Sequence, residues 1–524
     1  MAEDYSLDYL VIGGGPAGLQ AGYFLERAGR NYVIVESGES PGTFFTEYPR
    51  HRQLISINKV HTGSDDPELN LRTDWNSLLS EENAPLFTEY TPRYFPAADD
   101  YVRYLADFAD THGLAVRFGT RIVEVTKPDD FLARDQHGNT YRAKRVIVAT
   151  GVTRPNIPEI DGVEHAEPYT EVSVDPADFT GQRVLIIGRG NSAFETADNL
   201  IENASVIHVA GSGSLKLAWQ THFVGHLRAV NNNFLDTYQL KSQNAVLDGR
   251  ILGIRRDGDG LVVRVSFERV DEVVKEIRYD RVILATGFRF DASLFASECR
   301  PELIIDDRFP AQNSFWESTN VPGLHFAGTI TQVLDFKKST NGFIHGFRYG
   351  VRALHRILEH REHGVAWPVR ALAATPEATT DAVIERVNRT SALWQLFGFL
   401  GDAVLLGPDG PRYAEEVPVA YLHEAADGGA FGDVESYLTI TLEYGEDHDR
   451  INPFDVTAGR VSQQDTAGLD GRYLHPVVRH FRAGELLAEH HITENLENEW
   501  DGEQVHRAPL REFLRDRLTV PAGA

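Results

Sequence analysis

Residues 9–36, YLVIGGGPAGLQAGYFLERAGRNYVIVE, constrain the fold of this 524-residue chain more than any other segment. Gly13, Gly15 and Gly18 form a GxGxxG pattern between an apolar strand and an amphipathic helix. These glycines suit a tight turn, close approach of the backbone to a pyrophosphate, and close helix-to-strand packing. Glu36 ends the second strand, where its carboxylate can accept hydrogen bonds from a ribose. The segment predicts an ADP-binding βαβ unit; the alternative is a unit whose glycines serve packing alone.

The overall composition limits the classes of partner. The formal net charge is −26 and the pI about 5.2, which argues against nucleic acid and anionic membrane surfaces. Neither an apolar signal core nor a run of about 18 apolar residues is recognised, so we expect a cytoplasmic protein acting on small molecules. Cys299 is the only cysteine, which excludes a CxxC redox pair. No metal-ligand spacing occurs, and the adjacent His490 and His491 are interpreted as surface histidines.

A second fingerprint occupies residues 183–200, RVLIIGRGNSAFETADNL. Gly188, Gly190 and Ala193 give GxGxxA, again between an apolar strand and a helix. The following strand-like segment, residues 205–211, ends without an acidic residue. Because an acid at that position would repel a 2′-phosphate, its absence favours NADPH over NADH.

Three residues near the end of that segment could contact the 2′-phosphate: Ser212, Lys216 and Arg228. The alternative is that they are solvated loop residues. We therefore predict a second dinucleotide site, with the first fingerprint as the FAD site.

Two apolar strands ending in ATG, at residues 145–151 and 281–288, indicate crossings between two units. A return segment at residues 323–328 (GLHFAG) then leads to a helix beginning near Asn341. The predicted fold is α/β, with two nested Rossmann-like dinucleotide-binding domains and a C-terminal α+β extension. The boundaries are FAD domain 1–174 and 288–367, NADPH domain 175–287, and extension 368–524. Thr329 follows Gly328 at a position where flavoproteins with two nested dinucleotide-binding domains usually carry an Asp that holds the FAD ribityl chain. The Thr329 hydroxyl or a main-chain amide would have to make the contact that the Asp makes.

The extension has no nucleotide fingerprint. Residues 368–380 are interpreted as a linker, residues 382–406 as an apolar helix, and residues 436–444 and 473–481 as strands. The extension is expected to cover the substrate entrance or to form a subunit contact, and a homo-oligomer is left open.

Several long segments carry a family resemblance, and they run from residue 9 to about residue 514. They resemble the family of the vertebrate endoplasmic-reticulum flavoprotein associated with degradation and its bacterial relatives, which is similar to class B flavin monooxygenases. The segments are residues 48–59 (YPRHRQLISINK), 71–80 (LRTDWNSLLS), 173–199, 221–242 and 341–368. The resemblance implies non-covalent FAD and NADPH as reductant. Without a recognised signal or retention sequence, a role in the endoplasmic reticulum is not expected.

The resemblance also assigns individual residues. GRGNS at residues 188–192 is similar to the GxGNS of flavin-containing monooxygenases, which places Asn191 and Ser192 at the NADPH site. Asn58 lies where those enzymes carry an Asn that approaches the flavin, and Asn341 opens the return helix beside the cofactor. The linker motif FxGxxxHxxxY survives only in degraded form at residues 160–169, which disfavours Baeyer–Villiger chemistry.

The implied reaction is N-hydroxylation of a small amine in a biosynthetic pathway. NADPH reduces FAD, O₂ adds at flavin C4a, and an oxygen atom passes to a neutral amine; the resemblance suggests aspartate as the substrate. Candidate catalytic residues are Asn58, Lys59, Arg50 and His51.

The basic loop, residues 48–61, could bind a substrate carboxylate through Arg50, Arg52 or Lys59. The alternative is that they contact FAD phosphates or acidic neighbours; His222, His226 and Arg228 are then the next candidates. The competing function is a FAD-binding NADPH reductase, or a redox-associated interaction protein, that transfers no oxygen.

Overall fold

A computed structural model describes residues 3–239, 244–267, 273–425, 429–445, 448–452, 454–457, 459 and 473–518. Within these residues, the first fingerprint lies in a seven-stranded sheet. Its central strand, Asp4–Ile12, pairs in parallel with Tyr32–Val35 on one side and Thr140–Val148 on the other. The other strands of this sheet are Val116–Arg117, Ile122–Thr126, Phe131–Asp135 and Leu324–Phe326.

The second fingerprint lies in a separate parallel sheet. The order of its described strands is Ala245–Asp248, Val206–Gly211, Arg183–Ile187, Arg281–Leu284 and Glu167–Pro168. The chain then returns to the first sheet, where Leu324–Phe326 pairs in parallel with Thr140–Val148. This nesting confirms the predicted α/β fold. Glu167–Pro168 precedes residue 175, so the second sheet takes one strand from before the expected boundary.

A small antiparallel sheet covers one face of the second unit. Its strands are Arg250–Asp257, Gly260–Phe267 and Val273–Tyr279. Where the chain crosses between units, Arg154–Pro155 pairs with Phe288–Arg289. A further short pair joins Leu303–Ile304 to Phe309–Pro310.

Three long helices lie against the parallel sheets. The first fingerprint helix, Pro16–Arg27, has Pro at its first position, where the missing N–H costs no hydrogen bond. The second fingerprint helix is Asn191–Leu200. The return helix, Ile344–His363, starts three residues after Asn341, packs on the first fingerprint helix, and ends at Gly364 with φ of +68°.

Other helices connect or cover these layers, and none of the described helices is long and apolar enough to cross a bilayer. The α-helices are Thr43–Glu47, Pro67–Asn70, Ala98–Thr111, Ala218–Thr221, Asn233–Gln239, Pro376–Arg389, Ala392–Gln395, Val419–Ala425 and Ala508–Arg515. Shorter helical turns are Phe87–Glu89, Val163–His165, Pro176–Phe179, Ala229–Asn231, Ser297–Cys299, Gly328–Asp335, His448–Arg450 and Glu503–Arg507.

The C-terminal extension contains an antiparallel sheet of six described strands with helices packed on it. The strand order is Val369–Ala371, Arg412–Pro418, Leu400–Leu406, Ser436–Glu443, His475–Arg482 and Glu485–His491. This arrangement confirms the predicted α+β class and the strands expected near residues 436–444 and 473–481. Residues 460–472 of the extension lie outside the described part of the chain.

Two predictions about the start of the extension are wrong. The helix expected over residues 382–406 ends at Arg389, and Leu400–Leu406 is a central strand. Every residue of that strand is buried, so its apolar run lacks the alternation that distinguishes a strand from a helix. The expected linker at residues 368–380 instead forms the edge strand Val369–Ala371 and the first turn of a helix capped by the Thr375 hydroxyl.

The extension and the FAD unit share one hydrophobic core. A single cluster of buried side chains includes Tyr9 of the first sheet, Leu354 of the return helix and Leu405 of the extension. A buried ion network reinforces this contact. The Arg386 guanidinium, on helix Pro376–Arg389, donates to Asp402 at 2.9 Å and to Glu68 of the FAD unit at 2.9 Å.

Candidate functional site

The first fingerprint forms a cradle with room above it. Gly13 has φ of +109°, and a Cβ there would lie 2.7 Å from the Ala149 carbonyl oxygen. A Cβ on Gly18 would overlap the Gly13 carbonyl oxygen, so this glycine allows the helix to approach the strand. Around a Cβ on Gly15, by contrast, nothing lies within 4 Å. Gly15 is also the N-cap of the first fingerprint helix and no side chain caps that helix, so its free N–H groups can bind a phosphate.

Glu36 is buried at the end of Tyr32–Val35. Its Oε1 accepts from the Gly38 N–H at 2.8 Å and the Thr43 hydroxyl at 3.0 Å, and its Oε2 accepts from the Gly14 N–H at 2.7 Å. These donors fix the carboxylate beside the cradle. Because a carboxylate oxygen accepts two hydrogen bonds, Oε2 retains capacity for a ribose hydroxyl.

The return segment closes this cradle from the other side. Gly328 has φ of +83°, and a Cβ there would lie 2.7 Å from the Ala17 side chain at the start of the first fingerprint helix. Thr329 follows it, half-buried, in the turn Gly328–Asp335. The role of its hydroxyl toward a ribityl chain stays a prediction.

The second fingerprint repeats this geometry. Gly188 has φ of +139°, and a Cβ there would overlap the Ala285 carbonyl oxygen, whereas nothing lies within 4 Å of a Cβ on Gly190. Gly190 is the N-cap of the second fingerprint helix, again without a side-chain cap. Ser192, on the first turn of that helix, lines a narrow crevice with Tyr169. Both fingerprints therefore present an open, uncapped helix start.

At the adenosine end of the second site, the structure adds a residue that the prediction missed. Ser212 and Lys216 are exposed beyond strand Val206–Gly211, as expected for residues that meet a 2′-phosphate. Arg189 covers that strand end, and its guanidinium donates to the Leu247 carbonyl at 2.7 Å and contacts Asp248 at 3.4 Å. The sequence indicated Arg189 by its position between Gly188 and Gly190. This position lies beside the strand end at which no acidic residue was found.

Asn191 organises the loop that follows. Its Nδ2 donates to the His226 carbonyl at 2.9 Å, and its Oδ1 accepts from the backbone N–H of Arg228 at 3.0 Å and from Asn231 Nδ2 at 3.1 Å. The second fingerprint helix thus holds the loop carrying Arg228 in one position.

The two units meet at an aromatic junction formed by Trp75, Arg228, His345, Phe223 and Phe343. The Trp75 and His345 rings stack with centroids 4.1 Å apart, and the Arg228 guanidinium lies 5.1 Å from the Trp75 centroid. Phe223 of the second unit meets Phe343 of the FAD unit at 5.8 Å. Burial holds the pKa of His345 well below its usual range, and the positive charges of Arg348 and Arg228 lower it further. The imidazole of His345 is therefore neutral.

Two predicted cofactor-side asparagines lie in segments that reach this junction. Asn58 pairs with Asp74, next to Trp75, and its Nδ2 donates to the Thr91 carbonyl at 2.8 Å. Asn341 precedes the return helix, and its Nδ2 donates to Asp335 at 2.9 Å. Both Oδ1 atoms are buried, and neither accepts a hydrogen bond from any described residue. Because buried polar atoms normally have partners, these two acceptors fit the N–H groups of a bound cofactor.

The basic loop has mainly structural contacts. The Arg50 guanidinium donates to the carbonyls of Thr170 at 2.7 Å and Val172 at 2.6 Å. Arg52 donates to the Phe45 carbonyl and to Asp99, both at 2.6 Å. Both Nη atoms of Arg50 and one Nη atom of Arg52 are therefore already bound to protein acceptors, whereas Arg50 Nε and the other Nη atom of Arg52 are buried without a described partner.

The remaining candidates of this loop differ in their exposure. Burial, followed by the Arg50 charge, lowers the pKa of His51 to about 4, so it is neutral at physiological pH. Lys59 is exposed, and its backbone N–H donates to the Thr73 carbonyl at 3.2 Å. Roles for both in the reaction stay predictions.

No group of three or more side chains that could hold a metal ion occurs in the described residues, and the two adjacent histidines of the extension have other contacts. His491 is exposed, and its ring forms a hydrogen bond of 2.8 Å with the ring of His475. Its other ring nitrogen lies beside the Glu489 carboxylate. His490 is half-buried and stacks on Phe513.

The nested sheets and the two open cradles define an oxidoreductase of the two-dinucleotide-binding class. Residues 10–328 match the family described as pyridine nucleotide-disulphide oxidoreductase, and the chain belongs to that family. The FAD-dependent oxidoreductase domain-containing protein 2 of Mus musculus is 39% identical, over 98% of this chain and 84% of the mouse protein. The chain is accordingly a flavoprotein oxidoreductase.

Solved structures share the fold. A flavin-containing monooxygenase from Stenotrophomonas maltophilia has a TM-score of 0.53 at 23% identity, covering 68% of this chain and 99% of that one. A bacillithiol disulfide reductase from Staphylococcus aureus also has a TM-score of 0.53, at 18% identity, with the same two coverages of 68% and 99%. Structures of a monooxygenase and of a reductase thus share this framework, so the fold alone does not determine the reaction.

Proposed function

We propose that the protein is an NADPH- and FAD-dependent monooxygenase that N-hydroxylates a small amine, such as an amino acid, in a biosynthetic pathway. FAD would occupy the first cradle and NADPH the second, with O₂ and the amine as the other reactants. Aspartate is the substrate suggested by the resemblance described above. A cytoplasmic location fits this proposal.

The observation that carries the proposal is the pair of buried acceptors, Asn58 Oδ1 and Asn341 Oδ1, in the segments around Trp75 and His345. They provide polar contacts for a cofactor in a site otherwise lined by rings. When bound, FAD accepts hydride from NADPH and activates O₂. The residues of this chain orient the cofactor and exclude water, and a neutral His345 adds no charge to the site.

The cysteine content argues against a dithiol reductase. Cys299, the one cysteine of the sequence, is buried in the FAD unit, and its thiol donates to the Val125 carbonyl at 3.1 Å. Burial also raises its thiol pKa, which opposes formation of a thiolate. Electrons reaching FAD therefore have no pair of cysteines to reduce, and O₂ is the favoured acceptor.

The test measures NADPH oxidation with a panel of amino acids and polyamines under ¹⁸O₂, with mass analysis of the amine and a parallel hydrogen peroxide assay. We expect one amine to accelerate NADPH oxidation and to gain one ¹⁸O atom. If NADPH reduces FAD but no amine gains oxygen and all consumed O₂ appears as peroxide, the proposal is refuted and the reductase function is favoured.

A further inference from the structure

We propose that Arg228 is the residue that binds the carboxylate of the substrate, at the aromatic junction between the two nucleotide-binding units. The inference deepens the proposed function, on which it rests for the identity of the substrate as an amine. It commits the substrate to an amine that also carries a carboxylate, as an amino acid does.

The first argument is the absence of a counter-ion. Arg228 is half-buried, and burial lowers the pKa of its guanidinium; the phenol of Tyr94 is the ionisable neighbour that opposes this effect. Among the described residues, no carboxylate lies within 4 Å of this guanidinium and no acceptor forms a hydrogen bond with it. The chain has 77 acidic residues against 51 basic ones, so a half-buried arginine without an acidic partner among the described residues is unexpected as a purely structural feature.

Other buried arginines near the site show the contrast. Arg348 donates to the carbonyls of Leu71 at 2.7 Å, Asp74 at 3.0 Å and Ser77 at 2.7 Å. Arg50 donates to two carbonyls, as described above. These side chains have acceptors and serve the fold, whereas no acceptor among the described residues binds the guanidinium of Arg228, which leaves its donors for a ligand.

The second argument is that the guanidinium is held in place. Its backbone N–H is bound by Asn191 at 3.0 Å, and its head lies over the Trp75 ring. Trp75 is itself fixed, because its Nε1 donates to the Arg72 carbonyl at 3.1 Å and its ring stacks on His345. A planar guanidinium fixed over a ring presents its N–H groups as a fork, which matches the two oxygens of a carboxylate.

The third argument concerns the charge around the site. Burial, followed by the charges of Lys216 and Lys337, lowers the pKa of the nearby His226 to about 4. The positive charges of Lys216 and Lys337 therefore reach the loop that carries His226 and Arg228, although the whole chain is strongly acidic. Such a local field favours an anionic ligand.

The backbone before Arg228 lies beside Lys216, because the Leu227 N–H donates to the Lys216 carbonyl at 3.1 Å, but the Arg228 guanidinium extends toward the FAD unit. Arg189 covers the end of strand Val206–Gly211, where a 2′-phosphate would lie. Arg228 instead reaches across to Trp75 of the FAD unit. The position of its guanidinium suits a ligand held between the two units better than it suits the 2′-phosphate on the ribose.

The experiment measures binding to the oxidised holoenzyme by isothermal titration calorimetry, so it does not depend on turnover. The probes are L-aspartate, L-glutamate, glycine and the uncharged diamide of L-aspartate. In the wild type, at least one carboxylate probe should bind, and the diamide should bind more weakly than L-aspartate if L-aspartate is the ligand. Arg228→Gln should weaken carboxylate binding about 10- to 100-fold, the loss of a charge-assisted pair of hydrogen bonds. Arg228→Lys should give an intermediate loss, because the charge remains and the fork does not.

Arg256→Gln, on the exposed face of strand Arg250–Asp257, removes the same charge elsewhere and should change nothing. FAD content and the KM for NADPH should stay at wild-type values in every variant. The inference is overturned if no carboxylate probe binds the wild type, if Arg228→Gln binds the probes normally, or if it raises the KM for NADPH instead. Carboxylate binding that depends on Arg228, without any oxygenated product, would refute the proposed function and leave this inference standing.

Discussion

Replacing Gly15 by alanine tests whether the first cradle holds the FAD pyrophosphate. Gly15 has φ of −78° and ψ of −173°, which alanine adopts freely, and no atom lies within 4 Å of the added Cβ. The protein without cofactor should therefore keep its fold, and the loss of backbone freedom in the unfolded chain should add about 0.4–1 kcal/mol of stability. The new methyl would occupy the space through which the backbone approaches the phosphate.

The expected cost follows from the hydrogen bonds at stake. A backbone N–H bound to a charged phosphate contributes about 1.5–3 kcal/mol, so the loss of one such bond weakens FAD binding about 10- to 150-fold. The assay titrates apoprotein with FAD and follows flavin fluorescence, with the thermal midpoint of the apoprotein as a check on folding. Purified Gly15→Ala should also show a low ratio of flavin to protein absorbance.

Two other glycines supply the controls. Gly190→Ala makes the equivalent change in the second cradle, where nothing lies within 4 Å, and should spare FAD while raising the KM for NADPH. Gly13→Ala would place its Cβ 2.7 Å from the Ala149 carbonyl oxygen at a positive φ, and should impair folding itself. Normal FAD affinity in Gly15→Ala would refute the assignment of the cradle, and loss of FAD in Gly190→Ala would show that the two sites are reversed.

Three further predictions concern the pH dependence, the extension and the asparagine at the junction. Burial raises the pKa of Glu195 from 4.5 to about 7, so the folded protein binds more protons than the unfolded chain between these pH values. The free energy of unfolding therefore falls by up to about 3 kcal/mol as the pH rises through this range. Glu195→Gln should abolish this part of the decline in the thermal midpoint between pH 5 and 8. Arg386→Met should cost about 3–5 kcal/mol in thermal unfolding, because it leaves Asp402 buried without its partner. Asn58→Ala should still allow NADPH to reduce FAD, but should shift O₂ consumption from product toward hydrogen peroxide.

A specific experimental result would contradict each of these predictions. If the thermal midpoints of the wild type and of Glu195→Gln change with pH in parallel, the pKa of this carboxyl is not raised by folding and the carboxyl is ionised in the folded protein. Arg389→Met, on the same helix as Arg386 but in an exposed pair with Asp66, should cost at most about 1 kcal/mol, and equal losses would refute the role of burial. Unchanged coupling of NADPH oxidation to product in Asn58→Ala would remove Asn58 from the reaction.

The sequence predicts local features of this protein well. The turn at Gly13 and the close packing at Gly18 could be predicted because they depend only on a turn and on two adjacent elements. The strand Leu400–Leu406 could not, because its burial on both faces is imposed by strands paired with it from distant parts of the chain. A short run of mostly apolar and small residues is compatible with either a helix or a strand until that pairing is known.

The same distinction applies to the charged side chains of the site. Arg50 lies in a basic, cofactor-proximal loop, and nothing in that loop indicates that the carbonyls of Thr170 and Val172 bind its guanidinium. Conversely, nothing near Arg228 in the sequence indicates that its guanidinium lies over Trp75 of the other unit. Residue type predicted which side chains could bind a carboxylate, and the tertiary structure shows which of them already have acceptors among the described residues.

The core shared by the extension and the FAD unit affects how the chain folds during synthesis. The second unit draws its parallel sheet from residues 167–284, so it can fold once that continuous segment has left the ribosome. The first sheet begins at Asp4, but it is complete only when Leu324–Phe326 has been synthesised, and its hydrophobic core includes side chains as late as Leu518. We therefore expect FAD to be captured only after the extension has been synthesised, although the FAD fingerprint is synthesised long before it.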